Sequence, residues 1–107
     1  MQTASARPKK STATPKRATS FEPRIAKAFG KVIRAEREKQ EIAQDAFALL
    51  SNVDRSYYGK LERGERQPSL GLLLRIAGGL RCSGADLVTR VERELRVKPI
   101  ASANPTR

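Results

Sequence analysis

Apolar residues recur at helical spacing in five runs along the chain, and no stretch alternates with the period of a strand. The set Ile25, Ala26, Phe29, Val32 and Ile33 predicts a first helix that opens near Phe21 or Pro23 and runs to about Lys39. Proline suits a first helical turn, where its missing N–H would have no partner anyway, and Gly30 is a weak point inside the run. A second, short helix is expected over Gln44 to Leu50, with Ala46, Phe47 and Leu50 facing in. A third follows over Arg55 to Arg63, with Asp54 as N-cap, Gly64 as a left-handed stop and Pro68 ending any continuation. Ser69 caps a fourth helix, Leu70 to Leu80, whose apolar set is Leu72, Leu73, Ile76, Ala77 and Leu80. Gly78 and Gly79 each cost that helix about 1 kcal/mol against Ala. Ser83 and Asp86 form a capping-box-like pair before a fifth helix, Gly84 to about Leu95, which carries Leu87, Val88, Val91 and Leu95. The expected fold class is all-α: a five-helix domain over residues 21–97.

Two charged positions break the apolar pattern. Continuing the first helix's row 25, 29, 33 by four lands on Arg37, and a cation on an inward row needs a carboxylate partner. Glu62 sits at the border of the third helix's inward face, one turn after Tyr58, and is the candidate for a structural ion pair with it.

The third helix divides cleanly. Tyr58 and Leu61 fall on one side; Arg55, Ser56, Gly59, Lys60 and Arg63 fall on the other. That outer face offers guanidinium, ammonium and hydroxyl donors and no carboxylate of its own, which suits phosphates and base edges together. A charged face on a short helix is usually only solvated. Here it follows another short helix and a tight turn, the order of elements in a helix-turn-helix.

Charge adds a polyanionic partner to this picture. The 107 residues hold 22 Lys and Arg against 11 Asp and Glu, a net charge of +11. Residues 1–20 contain Arg7, Lys9, Lys10, Lys16 and Arg17 with no acid; residues 21–98 net +5, and Arg107 adds one more. The first twenty residues have almost nothing to bury and read as a disordered basic arm rather than a transit peptide, with residues 98–107 as a flexible tail. Such a charge points to nucleic acid or, second, to an anionic membrane surface. Beside the helix-turn-helix order of elements double-stranded DNA is the expected partner, and phosphate contacts from Lys9, Lys10, Lys16 and Arg17 are the arm's expected role.

With no histidine and a single cysteine, Cys82, the chain offers no internal disulfide and no ordinary Cys/His zinc cluster. No metal and no cofactor is expected. The commonest general base is missing as well, which argues against an enzyme. No stretch approaches the roughly 20 apolar residues of a membrane span, and the N-terminus lacks the apolar core of a secretory signal. The expected location is the cytoplasm, at the bacterial nucleoid when bound.

The pattern IRAER, then IAQDAFALLSNVDRSYYGKLERGERQPSLGLLLRIAGGL, then ADL resembles the lambda-repressor-like Cro/C1-type (XRE) helix-turn-helix family over roughly residues 29–90. The RSY start and ERG end of the third helix are most similar to controller proteins of restriction–modification systems and to small phage or plasmid regulators. The resemblance implies base readout by Arg55, Ser56, Tyr57 and Lys60, and phosphate contact by Gln44 and Arg66, with Arg63 a phosphate contact on its charge. It also implies a partly buried ion pair at Arg37 and Glu62. Three positions depart from the family pattern: Ala43 stands where Ser or Thr would cap the second helix, Glu41 where a glycine usually ends the first, and Tyr58 where a small aliphatic is usual.

The resulting expectation is a sequence-specific transcriptional regulator, by default a repressor, binding a palindromic operator as a homodimer. Val91, Leu95 and Val97 exceed what a small core needs and are the expected dimer interface. Two other readings stay open: an antitoxin whose chief partner is a toxin protein, and a general RNA- or ribosome-associated basic protein. The residues name no protein partner.

Overall fold

The computed structural model describes residues 20–97, without the side chain of Val97. The basic arm and the C-terminal tail, and with them Lys9, Lys10, Lys16 and Arg17, lie outside the described residues. Five helices follow one another: α1 Pro23–Lys39, α2 Gln44–Leu50, α3 Arg55–Glu62, α4 Leu70–Gly79 and α5 Gly84–Val97. No strand occurs among the described residues, so the domain is all-α. Helix α1 packs against α5 and α3, α2 against α3, and α4 against α5.

Local chemistry sets the helix starts. Asp54 accepts a hydrogen bond from the Tyr57 N–H at 3.0 Å, Ser69 from Leu72 at 3.1 Å, and Ser83 from Asp86 at 2.9 Å. Pro23 opens α1, and Ala43 gives α2 no side-chain cap. The ends share one device. Residues 41, 52, 64 and 81 all take positive φ, at 59°, 59°, 77° and 63°. The next N–H in each case reaches back five residues: Ile42 to Arg37, Val53 to Ala48, Glu65 to Lys60 and Cys82 to Ala77, at 2.8–3.3 Å. Four consecutive helices therefore close in Schellman fashion, satisfying carbonyls that would otherwise be orphaned. Only Gly64 adopts this conformation without a Cβ penalty; Glu41 and Arg81 bear it.

The core is one cluster built on Phe29, Ile33, Phe47, Tyr58, Leu61, Ile76 and Leu87. Phe47 and Tyr58 meet with ring centroids 5.3 Å apart at 52°, a tilted arrangement favoured by the ring quadrupoles. Gly30 is where α1 and α3 cross. A Cβ there would stand 2.4 Å from the Leu61 carbonyl oxygen and 2.6 Å from that of Glu62. Glycine is required at this crossing, and its helix-propensity cost accompanies a close backbone approach.

Several inward assignments are corrected. In α2 the buried residues are Phe47 and Ala48, while Ala46 and Leu50 are exposed. With seven residues the helix makes under two turns, too few for spacing to fix the face. Ile25 and Val88 are exposed at the edges of their helices. Gly59 is buried, not outward, lying under the Arg63 side chain. Val91 is buried in the protomer's own core, which leaves it little surface for a partner, and Leu95 packs half-buried against that core.

Candidate nucleic-acid interface

The base of the site is a polar knot behind α3. Arg37 Nε donates to Glu62 Oε2 at 2.6 Å and Nη2 to Oε1 at 3.1 Å, while Nη1 donates to the Ile42 carbonyl at 2.7 Å. Gln44 Nε2 donates to Glu62 Oε1 at 2.8 Å. A carboxylate at the C-terminal end of a helix opposes the helix dipole, and here three donors compensate it. Burial pushes the Glu62 carboxyl up, but the hydrogen bonds from Arg37 and Gln44 outweigh it and hold its pKa below the ordinary value. The Arg37 pKa is raised in turn, chiefly by the hydrogen bond to Glu62. The knot fastens the end of α3 to the end of α1 and the start of α2. Tyr58 brings its hydroxyl towards the same pair without meeting it in hydrogen-bond geometry. Burial, and then the neighbouring Glu62 charge, raise the phenol's pKa.

In front of the knot, α3 presents its polar residues. Arg55 and Ser56 are exposed on the first turn; Tyr57 is half-buried against the core, and Lys60 is half-buried one turn on. Arg63 and Arg66 are exposed at the end of α3 and in the loop that follows. Arg66 Nη1 donates to the Glu65 carbonyl at 3.1 Å. Gln44, expected at a phosphate, has its amide turned to Glu62.

Two carboxylates reach this face from other elements. Asp45, on the first turn of α2, lies 3.4 Å from Arg55 Nη1. Glu65 takes Arg63 through two contacts, Nε to Oε2 at 2.9 Å and Nη2 to Oε1 at 3.3 Å. A wheel of α3 alone puts no acid on this outer face, because both carboxylates come from neighbouring elements.

The loop after α3 also holds the start of the fold. Gln67 Oε1 accepts from the Glu22 N–H at 2.7 Å, and Gln67 Nε2 donates to the Ser20 carbonyl at 3.0 Å. Ser20, the last residue of the basic arm, is thereby held by the side chain of Gln67. Among the described residues no His, Cys, Asp or Glu grouping could hold a metal ion, and no helix is long and apolar enough to cross a membrane.

A sequence model described as helix-turn-helix matches residues 33–87. The chain is 36% identical over 67 residues to the control protein C.MunI of a Mycoplasma species, covering 62% of this chain and 90% of that one. Among solved structures, it is similar to the restriction–modification controller protein C.AhdI of Aeromonas hydrophila at 37% identity and a TM-score of 0.56. That likeness covers 58% of this chain and 94% of the other. A point mutant of C.Esp1396I bound to its operator superposes with a TM-score of 0.62 at 26% identity, over 72% of this chain and 97% of that one.

Proposed function

The chain belongs to the helix-turn-helix family matched over residues 33–87, and from that premise we propose that it is a sequence-specific DNA-binding transcriptional regulator. The observation that carries this is the exposed donor face of α3, braced from behind by the Arg37–Glu62–Gln44 knot. A helix held rigidly at its inner end can present Arg55 and Ser56 to base edges in the major groove with little further ordering. Tyr57 and Lys60 flank them. Arg63 and Arg66 serve the phosphates, which supply affinity and register rather than sequence, while Gln44 braces α3 through Glu62.

The regulator acts as a homodimer on a palindromic operator, with half-sites about one helical turn, ~34 Å, apart. An apolar patch supports this: Leu70 and Leu74 stand one turn apart on α4, 72% and 52% exposed, and Leu74 lies against Gly84 at the start of α5, near exposed Val88. Repression follows when the operator overlaps a promoter. The basic arm adds phosphate contacts through Lys9, Lys10, Lys16 and Arg17, and the attachment of Ser20 to Gln67 in the loop after α3 favours that role. The operator-bound neighbour C.Esp1396I and the controller protein C.AhdI support the DNA-binding reading.

The test is a binding comparison at physiological salt between duplex DNA carrying the operator, scrambled duplex and structured RNA. Preference for the operator over both supports the proposal. Equal binding to RNA would favour the general nucleic-acid reading instead.

A further inference from the structure

The ion pair between Asp45 and Arg55 joins α2 to α3 across the turn, at the point where the proposed base reader stands. Asp45 has a local duty already, since it supplies negative charge to the first turn of α2, which Ala43 leaves uncapped. That duty would be met by a carboxylate pointing anywhere near the helix N-terminus. Instead Asp45 Oδ2 engages one nitrogen of Arg55, Nη1 at 3.4 Å. The Nε–Nη2 edge of the guanidinium carries no hydrogen bond to a described residue. An arginine held by one nitrogen still offers two parallel donors on its other edge, the geometry that matches guanine O6 and N7.

Charge leads to the same conclusion. Both partners are largely exposed, at 72% and 65% of their side-chain surface, so the pair is worth little in water. It is nevertheless enough to cancel the Arg55 charge locally and to repel a phosphate that approaches the start of α3. Non-specific binding depends almost wholly on phosphates and counterion release, whereas the specific complex adds base contacts. A carboxylate at this position therefore weakens the wrong complexes more than the right one, as discrimination requires.

We propose that Asp45 is a specificity-determining residue, orienting Arg55 for guanine and screening it from phosphate. The inference rests on the DNA-binding reading above. Asp45 touches no base itself and acts through Arg55.

Asp45→Asn keeps the shape and removes the charge. Affinity for a scrambled duplex should rise about tenfold, and its log K against log[salt] slope should steepen by about 0.9, one phosphate's worth. Operator affinity should change by less than about threefold, so the specificity ratio falls several-fold. In an Arg55→Ala background the same substitution should leave the ratio unchanged, a result that a purely structural role for Asp45 would not produce. Asp45→Ser, also well suited to a helix's first turn, repeats the measurement if the asparagine variant folds poorly. Equal strengthening on both duplexes, or no change on either, overturns the inference. A wild-type protein that does not separate operator from scrambled duplex overturns the DNA-binding reading instead.

Discussion

Arg37 and Glu62, 25 residues apart in sequence, meet in a buried two-point contact that ties α1 to the end of α3. The pair fixes the end of α3 against α1. Removing one partner leaves the other buried and uncompensated. Arg37→Ala and Glu62→Ala should each destabilise the fold by about 3 kcal/mol or more, and the double variant should lose less than the sum by at least about 1 kcal/mol. Thermal melts of the three variants check this, and additive losses would mean that the contact contributes nothing.

The same carboxyl predicts a pH dependence. Its folded pKa lies below the ordinary value of 4.5, so its contribution is fully present above that value and is lost as pH falls through the lower folded one. Wild-type stability should decline on the acid side more steeply than that of Glu62→Gln. Denaturant titrations of both proteins from neutral pH to about pH 3 measure the difference. Parallel curves would contradict the assignment.

Gly30 and Gly78 should answer opposite ways to alanine. At Gly30 the new methyl meets the backbone of α3, and the crossing must open at a cost of about 1–3 kcal/mol. At Gly78 nothing lies within 4 Å, so alanine should stabilise α4 by about 0.4–1 kcal/mol. Gly30→Ala should also weaken operator binding, because α3 must move. Melting temperatures and operator affinities of the two variants test both halves.

The exposed leucines on α4 predict the oligomeric state. Leu74→Glu should give a folded monomer that binds the operator poorly, as measured by light scattering and circular dichroism. A wild-type protein that is monomeric at micromolar concentration and on DNA would refute the homodimer.

Much of the architecture was readable because it is local. Asp54, Ser69 and Ser83 cap the helices they immediately precede, and the apolar rows of α1 and α5 run long enough to fix a face. Gly64 needed only its place after a helix to be read as a left-handed stop. What escaped the sequence depends on neighbours distant in the chain. Gly30 looks like a flaw until the backbone of α3 is laid across it. Seven residues carry too little periodicity to fix the inner face of α2, and no spacing tells a protomer core from an interface at Val91. Asp45, Glu65 and Gln67 act across turns between elements, so a wheel drawn for one helix leaves them out.

We propose that α3 reads sequence, with Arg55 as its principal reader. Selection of bound duplexes from a random pool, with wild type and Arg55→Ala in parallel, tests it most directly. The wild type should enrich a palindrome with half-sites about one turn apart. Arg55→Ala should lose roughly 1–3 kcal/mol on that consensus and relax one base pair in each half-site, leaving the other positions intact. Enrichment of no consensus by the wild type, or an unaltered consensus from the variant, would contradict the account.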